Sequence, residues 1–178
     1  MSRLYTEAVT QASGPAVELF DKIKKSIGKV PNAYATIGSN SPLALEAALG
    51  LDAALRKSRL SAAEIEVVKL AVSQVAQCDY CLAAHTLAGR GVGLGAEAIL
   101  AVRHGQPSGD VRHDALAAFA RGVVTTSGTV APEVLAAIRL AGFDDGQLIE
   151  ILLAITAISF TNMFNRLNDT TLDFPRAP

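Results

Sequence analysis

This sequence predicts an all-α fold, on three observations. Of its 178 residues, 31 are alanine, the strongest helix former. Ser, Asp or Pro stands where helical apolar spacing begins, and Gly often stands where it ends. No stretch shows the sustained apolar–polar alternation of a half-buried strand.

In order along the chain, Ala16, Phe20, Ile23 and Ile27 share one helical face that follows Gly14-Pro15 and stops at Gly28. Pro31, Gly38 and Asn40 predict a loop or short turns over 28–40. Ser41-Pro42 is an N-cap followed by a first-turn proline, and Leu45, Leu49, Asp52 and Leu55 carry the next helix. Ser61 and Glu64 have capping-box spacing, with Leu60 as the apolar staple, and predict a helix over 62–76. Residues 82–88 are helical until Gly89-Arg90-Gly91. Further helices are predicted over 95–103, 111–126, 132–140 and 146–167. The β-branched run 149–158 is read as helix because of its length and the Asp144 cap before it. A weak internal repeat relates 60–65 to 143–148 at an offset of 83 positions. Val68, Leu70, Ala71 and Val72 then match Ile151, Leu153, Ala154 and Ile155, whereas Thr161 and Phe164 stand where the first copy has cysteines. The chemistry is therefore expected in the first copy, and the whole chain, 1–178, is read as one domain.

Composition narrows the function. Sixteen basic against seventeen acidic residues leave a formal charge of −1, so no electrostatic footprint for nucleic acid is present. The apolar run 148–160, broken by Glu150, is shorter than the roughly 18–20 residues a bilayer span needs, so no membrane role is expected. The opening residues lack the basic start and apolar core of a signal peptide. The expectation is a cytoplasmic protein, and in a reducing compartment a CxxC pair is catalytic or metal-binding rather than structural.

The chain has two cysteines, Cys78 and Cys81, three positions apart, with His85 four residues further on and Glu66 twelve before Cys78. Cys81 and His85 share a helix face. A helix beginning near Cys78 would aim its free amides at the sulfurs and favour thiolate. In one straight helix Glu66 and Cys78 would lie about 18 Å apart. A break near Gln77 instead folds the segment into a hairpin and turns Glu66 toward His85, giving a relay from Glu66 through His85 to Cys81. Such a relay has a purpose. Lowering a thiol pKa from about 8.5 to about 6 gains about thirtyfold in thiolate at pH 7, but the accompanying loss of nucleophilicity cancels most of that. Peroxide reduction also needs a proton delivered to the departing oxygen, which a carboxylate-backed histidine supplies.

Glu66-x11-Cys78-x2-Cys81-x3-His85 resembles the active-site motif of the alkylhydroperoxidase D-like (AhpD-like) branch of the carboxymuconolactone decarboxylase superfamily. The motif-bearing core covers about 41–105, while 28–32 and 165–175 resemble peroxidase-related members. The resemblance implies an orthogonal helical bundle, assembly as trimers or hexamers, Cys81 as the peroxidatic thiol and Cys78 as the resolving thiol. It also implies Glu66 and His85 as proton relay, a peroxide substrate and a lipoyl- or thioredoxin-type dithiol reductant, with no cofactor and no metal. Tyr80 stands where the well-known peroxidase has another histidine; it is a candidate auxiliary hydrogen-bond donor but does not titrate near neutrality. A zinc site on Cys78, Cys81, His85 and Glu66 is disfavoured because the chain has no second cysteine pair. Haem attachment is disfavoured because Leu82 follows Cys81. The alternatives kept are a redox sensor or disulfide-exchange protein using the same cysteines, and a lactone decarboxylase. His104, His113, Arg103, Arg121 and Arg139 are read as solvated, interface or otherwise ordinary residues, and Asn162 and Asn165 as parts of a buried network or a subunit contact.

Overall fold

The computed structural model describes residues 2–178. After a short 3-10 turn at Val9–Gln11 come α1 (Pro15–Ile27), α2 (Asn32–Asn40), α3 (Pro42–Leu55), α4 (Ala62–Val75), α5 (Asp79–Gly91), α6 (Ala96–His104), α7 (Val111–Thr125), α8 (Pro132–Leu140) and α9 (Asp145–Asn168). There is no strand among the described residues. α4 is the central helix: Val67, Val68, Leu70 and Ala71 are fully buried, and it packs on α5, α6, α7 and α9. A smaller core of Ala16, Leu19, Phe20, Ile23, Ile37 and Leu45 ties α1 and α2 to α3.

The predicted loop over 28–40 is corrected: 32–40 form α2. Its Gly38 is there for close approach rather than to break the helix. A Cβ at that position would come 2.5 Å from the Phe20 ring and 2.8 Å from Leu45, so glycine lets α2 sit on the smaller core despite its poor intrinsic propensity. α5 begins at Asp79, three residues before its predicted start, and continues through Gly89, which packs near Leu94, Ile99 and Leu70. α9 reaches 24 residues and is long and apolar enough by composition to cross a membrane. In this fold its Ile151, Ala154, Ile155 and Ile158 are core residues.

The predicted capping box of α4 forms, and α9 opens on one as well. Ser61 N–H donates to Glu64 Oε2 at 2.7 Å and Glu64 N–H to Ser61 Oγ at 3.1 Å. Asp144 N–H donates to Gln147 Oε1 at 3.2 Å and Gln147 N–H to Asp144 Oδ1 at 2.9 Å. Two of the three arginines read as solvated or interface residues are internal braces. Arg103, 6% exposed, donates to Gln74 Oε1 and to the carbonyl of Pro178, and Arg121 donates to the Val102 carbonyl near the end of α6. Arg139 remains exposed, paired with Asp145.

Candidate active site

The break near Gln77 is present, and a hydrogen-bonding pattern defines it. α4 ends at Val75, Gln77 takes a left-handed φ of +51°, and Cys78 N–H reaches back to the Ser73 carbonyl at 3.1 Å while Gln77 N–H reaches Gln74. This is a Schellman ending with glutamine in the place glycine usually fills. Arg166 of α9 secures it, donating to the carbonyls of Ala76 at 2.7 Å and Gln77 at 2.9 Å. Cys78 is the N-cap of α5, and its sulfur accepts the Cys81 backbone N–H at 3.4 Å.

The hairpin brings Glu66 and His85 together: Glu66 Oε2 and His85 Nδ1 are 2.7 Å apart, both side chains largely buried. The first leg of the expected relay is thus a direct hydrogen bond. The second leg has a different form. The Cys81 sulfur accepts a hydrogen bond from Asn165 Nδ2 at 3.4 Å, while His85 and Thr161 meet Cys81 as fellow lining residues of one pocket. With Nδ1 held by Glu66, the ring is left with Nε2 for whatever enters that pocket.

The two cysteines, each 2% exposed and both free thiols, face different spaces. Cys81 lines a largely apolar pocket of about 440 Å³ together with His85, Tyr34, Ala84, Leu87 and Phe174. Cys78 lines a smaller, more polar pocket of about 250 Å³ with Gln77, Asp79, Arg166 and Thr170. Tyr80 and Asn165 border both. The two thiols are perturbed in opposite directions. The Cys81 thiol as donor, backed by the Cys81 backbone N–H, holds the Cys78 thiol below its ordinary range against the effect of burial. Cys81 is pushed well up by donating to Cys78, by burial and by the Cys78 charge, with Asn165 and Thr161 opposing.

Tyr80 anchors one wall of the pocket. Its hydroxyl donates to Asp173 Oδ1 at 2.7 Å and accepts from Ala33 N–H at 3.2 Å, and its ring meets Phe174 edge-on at 5.6 Å. Burial and Asp173 raise its pKa beyond the usual tyrosine range. Lys29 pairs with Asp173 at 3.0 Å and lies over the Phe174 ring at 4.2 Å, so the segment after α9 is strapped across the pocket. Tyr34 donates to Asp52, which also binds Lys69 at 2.8 Å. Among the described residues, no group of three or more His, Cys, Asp or Glu side chains is arranged to hold a metal.

Sequence reasoning assigns no part in the site to Thr161 or Asn165, which come from the second repeat. A signal exists: at the repeat offset Thr161 corresponds to Cys78 and Phe164 to Cys81, and Asn165 is the next residue. Asn162, by contrast, accepts from Ser73 Oγ at 3.1 Å, a buried brace between α9 and α4.

The carboxymuconolactone decarboxylase family profile matches residues 42–121. No curated protein sequence matches the chain. Among solved structures, it resembles a peroxidase-related protein of Ralstonia eutropha JMP134 with an alkylhydroperoxidase AhpD core, at 22% identity over 97% of this chain and 92% of that one, TM-score 0.84. A peroxidase-related protein of Silicibacter sp. TM1040 matches at 21% identity over 96% and 94%, TM-score 0.77. The debrominase Bmp8 matches at 18% identity over 97% and 93%, TM-score 0.81. Residues 42–121 thus carry the carboxymuconolactone decarboxylase family pattern, and the chain as a whole has the AhpD-like fold.

Proposed function

We propose that the protein is a dithiol peroxidase reducing organic hydroperoxides. The observation that carries this reading is the division of labour between the two cysteines: Cys81 shares the larger apolar pocket with His85, and Cys78 opens to a separate polar one. A pocket of about 440 Å³ far exceeds the needs of hydrogen peroxide and is of small-ligand size. Its apolar walls suit an alkyl or aryl hydroperoxide.

Of the two thiols Cys78 is the easier to ionise, so the proton to be moved before attack is the one on Cys81. Its transfer to Cys78 creates the nucleophile without burying an additional charge. The Cys81 thiolate attacks the terminal oxygen of ROOH, forming the S–O bond and breaking the O–O bond, and the products are a sulfenic acid and RO⁻. His85, supported by Glu66, supplies the proton that turns RO⁻ into ROH. The proton taken up by Cys78 is then released, and the Cys78 thiolate attacks the sulfenic sulfur, expelling hydroxide that leaves as water, and a disulfide closes. A dithiol donor entering from the polar side restores both thiols by exchange at Cys78. The need for re-reduction fits a reducing compartment such as the cytoplasm.

One equivalent of hydroperoxide is expected to remove two hydrogens from the wild type by intact mass, and to leave sulfenic or sulfinic acid on Cys78→Ser. Undiminished peroxide consumption by Cys81→Ser overturns the assignment. Catalytic turnover with lipoyl- or thioredoxin-type dithiols separates an enzyme from a redox sensor, which oxidises once. Lactone decarboxylation surviving loss of both thiols would support the decarboxylase alternative.

A second reading rests on the likeness to Bmp8, a cysteine-to-alanine variant of which is solved with 2,3,4-tribromopyrrole, and on the aromatic walls Tyr34, Tyr80 and Phe174. The same dithiol could reduce an aryl halide, with Cys81 taking the halogen, the carbanion taking a proton, and Cys78 displacing halide as the disulfide forms. Halide release from a halopyrrole or halophenol, with no peroxide turnover, would favour it.

A further inference from the structure

We propose that Asn165 is a catalytic residue that holds the Cys81 sulfur in both its reduced and its oxidised state, an inference resting on the peroxidase reading above. Asn165 is 4% exposed and borders both pockets. Its Nδ2 donates to Cys81 Sγ at 3.4 Å, across 84 positions of sequence. Its Oδ1 is buried and without a hydrogen-bond partner in the dithiol state.

Those two ends of one carboxamide suit two chemical states of one sulfur. A thiolate is an acceptor only, and Nδ2 is a donor placed on it. A buried carbonyl oxygen without a donor costs about 1–3 kcal/mol. Such an acceptor gains its missing partner when Cys81 becomes a sulfenic acid, because the S–OH group adds an O–H donor on the same sulfur. The residue therefore stabilises the nucleophile before O–O cleavage and the sulfenic acid after it, until Cys78 attacks. Position is fixed from both sides: Arg166, the next residue, is bonded to the break in the α4–α5 hairpin, and the Asn165 carbonyl accepts from Thr170 N–H at 3.1 Å.

The test uses the Cys78→Ser protein, in which serine retains the N-cap and Cys81 is the remaining thiol. Asn165→Leu removes donor and acceptor, whereas Asn165→Asp, nearly isosteric, keeps an acceptor and loses the donor. The other titratable and charged groups around the sulfur are His85 and Tyr80 on α5, Tyr34 on α2, and Lys29 and Asp173 further out, and neither variant alters them. The pH profile of Cys81 alkylation by iodoacetamide is expected to move upward in both variants, leaving about ten- to a hundredfold less thiolate near neutrality. After one equivalent of hydroperoxide, Asn165→Asp should still accumulate sulfenic acid, and Asn165→Leu should over-oxidise at severalfold lower peroxide. Alkylation profiles in both variants that coincide with the parent overturn the proposal. Alkylation needs no peroxide, so a parent that forms no sulfenic acid sinks the peroxidase reading and the oxidised-state half together, while a shifted profile leaves the thiolate half standing.

Discussion

The α4–α5 hairpin and α9 start alike and finish differently. Each opens on a capping box that an arginine from elsewhere grips: Arg112 reaches Glu64 at 2.6 Å, and Arg59 reaches Asp144 at 2.6 Å. Each then presents apolar residues at matching offsets. The first copy breaks at Gln77, whereas the second runs through the corresponding position, Phe160, to Asn168. The break gives the first copy what a continuous helix cannot offer: a new N-terminus whose Cys81 N–H reaches the Cys78 sulfur, and a fold-back that lets Glu66 meet His85. The unbroken copy supplies a rigid rail from which Thr161 and Asn165 face Cys81 and Arg166 clamps the break. One repeat thus carries the proposed reactive groups and the other holds them in place.

Removing the proposed proton shuttle breaks this comparison hardest. His85→Ala is expected to slow hydroperoxide reduction by about 10²- to 10⁴-fold, the usual range for a general acid–base group. Glu66→Gln, which keeps a hydrogen-bonding partner for the ring but removes the charge, should cost less. Stopped-flow peroxide consumption ranks them, and equal losses in both would show that the carboxylate charge, rather than orientation of the ring, governs the step.

Disrupting the break comes next. Gln77→Pro is incompatible with a φ of +51° and removes the N–H that reaches Gln74, so a loss of about 3 kcal/mol or more in unfolding free energy is expected. Alanine at the corresponding position of α9, Phe160, has no backbone conformation to disturb, and its effect should follow side-chain packing alone. Denaturant unfolding of the two variants separates backbone from packing.

What is legible in the sequence follows the same division. Asp110, Pro132 and Asp144 announce α7, α8 and α9 because caps and first-turn prolines are local signals. The meeting of Glu66 and His85 is legible because their spacing makes sense only with a break. α2 escapes because Pro31, Gly38 and Asn40 read as loop chemistry, while the reason for Gly38 is the Phe20 ring that reaches it from another helix. Asn165 is legible as a buried polar residue but not as a partner of Cys81, since nothing local specifies a contact between the two repeats. Tyr80 is legible as a hydrogen-bond donor, yet its acceptor, Asp173, lies 93 positions away in the terminal segment.

The smallest expected effect separates the two capping boxes themselves. Burial raises the Glu64 pKa, but the Ser61 N–H and the Arg112 guanidinium outweigh it and hold the carboxyl below the usual range. Arg112 is itself braced, donating to the Ala141 carbonyl at 2.8 Å and stacking on Phe143 at 3.6 Å. Asp144 is lowered too, chiefly by Arg59, but that pair lies in solvent. A carboxyl whose folded pKa is depressed contributes stability that is fully present above its unfolded value, about 4.3 for glutamate, and lost as pH falls through the folded value. Glu64→Gln should therefore cost about 1–3 kcal/mol at neutral pH and flatten the acid limb of the stability profile. The Asp144→Asn effect should be smaller and should vanish in about 1 M salt, because an exposed pair is screened at that ionic strength. Melting curves from pH 7 to pH 3 at low and high salt measure both. If the Glu64 contribution also disappears with salt, the box on α4 is as open to solvent as the one on α9, and the two copies differ only at the break.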